Sequence, residues 1–222
     1  MKQLRNTFIL LAAALLAGFG LASCSESDDT VEEFPNWQET NTAYIYDLFS
    51  ATNSKIEAGD NSWKIIKSYS KDPETKATAS NSIIVHIITE GTGSGYPLYT
   101  DTVRVHYRGR LLPSTSYTDG YVFMESYSGD FNPATCMPAK MPVAGTIKLT
   151  SVSTINVPDG LSTALQNMRI GDRWEVYIPQ ELGFGTTETA GIPAYSVLKF
   201  DLMLMAYYRP GDVVPDWKIK RK

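Results

Sequence analysis

Few side chains in this 222-residue chain are equipped for bond-making chemistry. The only two histidines, His86 and His106, stand inside the runs "SIIVHIITEG" and "DTVRVHYRGRL". A zinc site needs about three or four ligands at recognisable spacing, and neither histidine has that company. No metal site or cofactor is expected, and both histidines are expected to face solvent or a partner. No Ser/His/Asp set suggests a nucleophile. What remains is apolar residues and one unusual connection, "YIPQELGFGTTETAGIPAYSVLKFDLML", from Tyr177 to Leu204. A hairpin turns within about two to five residues, so a linker holding Gly183, Gly185, Gly191 and Ile192-Pro193 is either disordered or shaped for a task.

The ends of the chain carry a different signal. Lys2 and Arg5 precede the apolar run "FILLAAALLAGFGLA", too short and glycine-broken for a good membrane span, which is the pattern of a secretion signal. Its end, "LASC", resembles a bacterial lipobox, so residues 1–23 are expected to be removed and Cys24 lipidated. Each buried acyl methylene contributes about 0.8 kcal/mol to anchoring. Residues 24–35, opening with "SESDD", form an acidic tether; it reads as a solvated linker or as resembling the acidic export tag of some Gram-negative lipoproteins. Losing residues 1–23, which hold Lys2 and Arg5 and no acid, takes the formal net charge from −4 to −6. The electrostatic term that dominates phosphate binding is then missing, so no nucleic-acid partner is expected. The basic residues of the tail 211–222, "KIKRK", read as a solvated end. Cys136 has no partner for an intramolecular disulfide once Cys24 is lipidated. Stability must therefore come from an apolar core, which 43% hydrophobic content supports for one domain plus an extension.

The elements that would position these residues follow from periodicity. "NWQE" offers Asn36 as an N-cap with Glu39 three residues on, and Trp37, Tyr44 and Leu48 fall on one helical stripe, predicting about four turns of helix. "SWKIIKSYS" alternates as a strand, with Trp63, Ile65, Lys67 and Tyr69 in phase, and a polar loop follows. These segments make an N-terminal extension, 36–81. In "DTVRVHYRGRL" Val103, Val105 and Tyr107 share the core face, and Arg104, His106 and Arg108 share the other. Between Leu112 and Val157, Pro113, Pro133, Pro138 and Pro142 punctuate a wandering stretch with "YVFMES" and "TIKLTSVSTI" as short strands. "VPDGLSTALQNMRIGD" places Leu161, Leu165 and Met168 at helical spacing around Ala164, with Gly171 as the stop. "RWEVYIP" and "SVLKFDLMLMAYY" are strands. The sum is an α+β arrangement, a curved antiparallel sheet wrapped over one short helix.

The strings "VRVHYRGRL", "GYVFMES", "GLSTALQNMRIGDRWEVYIPQELGFG" and "GIPAYSVLKFDLML" resemble, in order and spacing, the FKBP-type peptidyl-prolyl isomerases. The resemblance covers about half the chain, from Val103 to Leu204, and implies an FKBP-like domain over 82–210. It also implies a site: an apolar pocket for a proline side chain, walled by Tyr107, Phe123, Val157, Leu161, Phe184, Ile192 and Phe200. The loop after "LGFG" would fold over its mouth, with Ile192-Pro193 as the rim. Proline-containing polypeptide segments are the implied partners, and no acid, base or nucleophile is required.

Departures from the family pattern set the expected strength. Met124 stands where an aspartate is usual, with Glu125 one place later and so on the opposite face of a regular strand. Leu161 replaces a tryptophan of the pocket floor, Pro158 a residue whose backbone N–H binds substrate, and Phe184 a tyrosine. Three polar handles are gone. At about 0.5–1.5 kcal/mol each, the expectation is a weak prolyl isomerase of exported proteins, lipid-anchored in the cell envelope through Cys24, at the outer membrane on its periplasmic or surface face. The alternatives are a non-catalytic FKBP-like peptide-binding or chaperone lipoprotein, and a surface lipoprotein holding glycans on exposed Tyr and Trp residues.

Overall fold

A computed structural model of the chain describes residues 31–148 and 153–218. The expected signal peptide, Cys24, most of the tether, part of "TIKLTSVSTI" and the end of the basic tail lie outside the described residues. The described elements are, in order, α1 (Trp37–Glu57), β1 (Trp63–Lys67), β2 (Ser82–Thr89), β3 (Thr102–Arg110), β4 (Val122–Glu125), β5 (Ala139–Pro142), β6 (Thr146–Lys148), β7 (Thr154–Asn156), α2 (Asp159–Asn167), β8 (Arg173–Ile178), a single 3₁₀ turn (Gln180–Leu182) and β9 (Leu198–Tyr208).

Alternation builds the sheet. In β9, Leu198, Phe200, Leu202 and Leu204 are buried while Lys199, Asp201 and Met203 are partly exposed. Val103 and Val105 do the same around Arg104 in β3, and Trp174 and Val176 around Glu175 in β8. Each fully buried Val, Leu, Ile or Phe side chain contributes about 1.5–3 kcal/mol. The strands pair in the order β1-β2-β8-β9-β3-β4, with β5 also on β3, and every pairing is antiparallel. β6 and β7 form a separate hairpin. β5 carries no alternating signal, because Pro138 and Pro142 flank only three residues, Ala139 to Met141. It exists because β4 occupies only Arg108–Arg110 of β3 and leaves Thr102–Val105 free to pair.

One face of the sheet carries α2. Leu161, Ala164, Leu165 and Met168 are all buried, as their spacing predicts. Gly160 lets the helix settle close, since a Cβ there would run into Ile178 and Ile83. The helix stops before Gly171: Met168 is already extended, and Gly171 (φ +96°) instead makes the turn into β8, its N–H donating to the Leu204 carbonyl.

The opposite face carries α1, whose strand neighbour β1 pairs with β2. Tyr44 lies 6.2 Å from Tyr177, Trp63 stacks on His86 at 4.4 Å, and the Lys55 ammonium sits 3.8 Å from the Trp63 ring centre. The helix runs 21 residues, longer than the four turns expected. Its buried stripe is Trp37, Asn41, Ile45 and Thr52, with Tyr44 and Leu48 only half-buried at its margin. Asn36 precedes the helix in a left-handed conformation (φ 48°) and its side chain makes no capping hydrogen bond, so the expected cap does not form. β1 ends at Lys67, short of the strand expected through Ser70, and Tyr69 is exposed.

His106 is buried, not solvent-facing. The chain after β4 folds back over it, bringing Phe131 to 5.1 Å and Tyr127 to 6.4 Å from its ring.

Candidate functional site

The apolar residues singled out in the sequence belong to one contiguous core: Phe123, Val157, Leu161, Ile192 and Phe200 are buried within it, and Tyr107 and Phe184 pack against it half-buried. The β3–β9 register sets Gly109 opposite Phe200, and Tyr107, two residues earlier on the same face, opposite Leu202. Phe123 meets Phe200 edge-on, with ring centroids 5.5 Å apart and planes at 89°. Both rings close over Gly109, where a Cβ would stand 2.7 Å from Phe123 and 2.8 Å from Phe200. The Tyr107 N–H donates to Ser126 Oγ at 2.9 Å, and its carbonyl accepts from the Ser126 N–H, which fixes the strand at this point. Burial pushes the Tyr107 phenol above its ordinary value, so the ring is a neutral hydroxyl at neutral pH.

A bulge explains the "VFME" departure. β3 pairs Gly109 with Met124 but Arg110 with Val122, leaving Phe123 as the extra residue. Phe123 and Met124 are therefore both buried against the core. Glu125 pairs with Arg108 and points to the other face, where its carboxylate accepts from Arg108 Nε at 2.9 Å. Even with the bulge, the Glu125 carboxylate is on the face away from Phe200. Val157 and Leu161 flank Pro158, which has no N–H to offer and supplies its carbonyl to the Ser162 N–H.

The long connection is ordered by its own hydrogen bonds. The 3₁₀ turn Gln180–Leu182 leads to Gly185, whose carbonyl accepts from the Tyr195 N–H at 2.9 Å and so closes the loop. Within it, Thr189 and Ile192 exchange both backbone bonds at 3.0 Å around Ala190 (φ 52°) and Gly191 (φ 82°). Two successive positive φ values are what a type I′ two-residue hairpin demands. This miniature hairpin drives Ile192 into full burial. The partners of the loop's exit are remote in the chain and unmarked by any local pattern: Trp37 and Asn41 of α1 bond to Ser196 and Val197. The one clue is a polar residue, Asn41, one turn from Trp37 on the buried stripe.

The arrangement is a packed group of aromatic and aliphatic side chains, at whose margin Tyr107 and Phe184 remain half-buried. Among the described residues no three His, Cys, Asp or Glu side chains gather to hold a metal ion.

Two helices, one large antiparallel sheet and a separate two-stranded hairpin make this an α+β domain, with Phe123 and Phe200 packed over Gly109 in its core. Residues 94–205, half of the chain, match the family model of the FKBP-type peptidyl-prolyl cis-trans isomerases, and the chain belongs to that family. The FKBP-type 22 kDa peptidyl-prolyl cis-trans isomerase of Escherichia coli strain K12 is 38% identical over 120 residues, covering 54% of this chain and 47% of the relative. The FKBP-type isomerase FkpA of the same strain is 28% identical over 197 residues, 86% of this chain and 62% of that protein. The chain thus spans about half to three-fifths of the length of these relatives. Among solved structures, a peptidyl-prolyl cis-trans isomerase from Pseudomonas syringae pv. tomato superposes with a TM-score of 0.49 at 21% identity, over 78% of this chain and 96% of that one.

Proposed function

We propose that the protein is a peptidyl-prolyl cis-trans isomerase of low efficiency, acting on proline-containing segments of exported proteins. The observation that carries this is the meeting of Phe123 and Phe200 over Gly109, in a chain of this family. A prolyl bond rotates through a twisted state that has lost amide resonance, across a barrier of about 18–20 kcal/mol. The twisted state is less charge-separated than the planar one, so a dry apolar wall favours it over the ground state. Tyr107, Phe123, Val157, Leu161, Phe184, Ile192 and Phe200 would form that wall, with Ile192-Pro193 as its rim.

Low efficiency follows from the polar groups that are absent. Met124 brings no carboxylate, Glu125 is turned to the other face, Pro158 has no N–H and Phe184 no hydroxyl. Losing hydrogen bonds worth about 0.5–1.5 kcal/mol each weakens transition-state binding without abolishing the apolar term. The same replacements favour a second reading, a peptide-binding or chaperone module without turnover. A protease-coupled assay on prolyl tetrapeptides separates the two: a rate above the uncatalysed reaction supports the enzyme, and a rate equal to it at micromolar folded protein leaves the binding module.

Anchoring belongs to the same proposal. With Cys24 lipidated after removal of residues 1–23, the domain would sit at the cell envelope, tethered to the membrane by its acidic linker. Mass spectrometry of the mature N-terminus tests this; an unmodified Cys24 overturns it.

A further inference from the structure

We infer that Trp37 and Asn41, at the start of α1, are positioning residues for the rim of the proposed proline site; the inference rests on that reading of the site and assigns to the N-terminal helix a part in substrate affinity. The residues lie outside the span that matches the family.

Three buried side chains make the connection. The Trp37 indole N–H donates to Ser196 Oγ at 2.9 Å, and the Ser196 hydroxyl donates its one proton onward to the Pro193 carbonyl at 2.7 Å. Asn41 Oδ1 accepts from the Val197 N–H at 2.8 Å, while Asn41 Nδ2 donates to the Trp37 carbonyl at 2.7 Å. Every donor and acceptor role is compatible: the hydroxyl accepts from the indole because its proton is already committed to Pro193. Trp37, Asn41 and Ser196 are 8%, 1% and 3% exposed, so water does not compete for these bonds.

The loop needs this outside support. Tyr195 holds a left-handed backbone (φ 63°), which a residue with a side chain adopts only when its surroundings impose it. Its own N–H bond to Gly185 closes the loop and, among the described residues, is the one backbone–backbone hydrogen bond seen at the exit from Pro193 to Val197. Trp37 and Asn41 add side-chain hydrogen bonds to the same exit. Further along, α1 is seated on the sheet through buried Ile45 and Thr52 and through Lys55 over Trp63. The place of Ile192 relative to Phe200 is therefore referred to α1 as well as to β8 and β9. A displaced rim lowers the affinity for a proline ring more than it alters rotation of one already seated, because the remaining wall is built on strands.

The test uses the full chain with Trp37→Phe, which keeps an aromatic ring and removes the N–H, Ser196→Ala, and the double variant. KM and kcat on a prolyl tetrapeptide are read beside backbone amide exchange. Trp37→Phe is expected to raise KM three- to tenfold with kcat within twofold, and to speed exchange at Ile192 and Val197 at least tenfold while Val176 and Phe200 stay as in the parent. The double variant is expected to be no worse than Ser196→Ala alone, since both break one relay. If Trp37→Phe lowers the melting temperature yet leaves KM and exchange at Ile192 unchanged, Trp37 is mere packing and the inference is overturned. If Trp37→Phe does not fold, Ser196→Ala decides by the same readouts. If the parent protein shows no turnover, the isomerase reading fails by itself, and exchange at Ile192 with the tetrapeptide's dissociation constant still decides the positioning role.

Discussion

Gly109 and Phe200 stand opposite one another across the β3–β9 ladder, and the absence of a side chain at Gly109 is what allows the Phe200 and Phe123 rings to meet. Gly109→Ala would set a methyl 2.7 and 2.8 Å from those rings, closer than carbon atoms pack. Overpacking of this kind costs about 1–3 kcal/mol. Urea unfolding is expected to show that loss, and kcat/KM on a prolyl tetrapeptide is expected to fall at least tenfold as the rings part. Unchanged stability would mean that the rings do not meet over this glycine.

Phe184→Tyr adds a hydroxyl to a half-buried ring beside the proposed site. One recovered hydrogen bond to substrate, worth about 0.5–1.5 kcal/mol, corresponds to a gain in kcat/KM of roughly two- to thirteenfold. Steady-state kinetics check it, and no gain in a folded variant argues against Phe184 at the loop wall.

Glu125→Gln is expected to leave turnover within twofold. The carboxylate pairs with Arg108 on the face away from the rings, and a part-exposed pair of this kind contributes about 0–1 kcal/mol. A tenfold fall in kcat/KM would show that Glu125 takes the place of the missing inward acid.

Much of this was legible because it is local. The alternation of Val103, Val105 and Tyr107, the β9 series from Leu198 to Leu204 and the α2 stripe are periodic signals imposed by burial of one face. The elements that were not legible depend on partners distant in the chain. Trp37 and Ser196 are 159 residues apart. His106 alternates like an outward residue and becomes buried only because Phe131 folds over it. The bulge at Phe123 is a register event between two strands, with no mark in "YVFMES" itself. β5 forms because part of β3 has no other partner, which its proline-flanked residues do not announce.

His106 makes stability depend on pH. Burial holds its imidazole below the ordinary value, with Tyr127, Phe131, Arg108, Arg173 and Asp201 around that face. The unfolded chain then binds a proton more readily than the folded one, so stability rises with pH across this window. It is complete above about pH 6.5 and is lost as the pH falls below that value. Thermal melts between about pH 7 and 5 are expected to show a slope that His106→Phe reduces; an identical slope in the variant assigns it to other groups.

The proposed function rests on apolar side chains around Phe123 and Phe200 easing the rotation of prolyl bonds. Its most direct measurement is the cis-to-trans rate of a prolyl tetrapeptide with micromolar protein, for the parent and for Phe123→Ala checked as folded by circular dichroism. The parent is expected to exceed the uncatalysed rate, and Phe123→Ala to fall to near it. A folded parent indistinguishable from buffer, or a variant as fast as the parent, would contradict it.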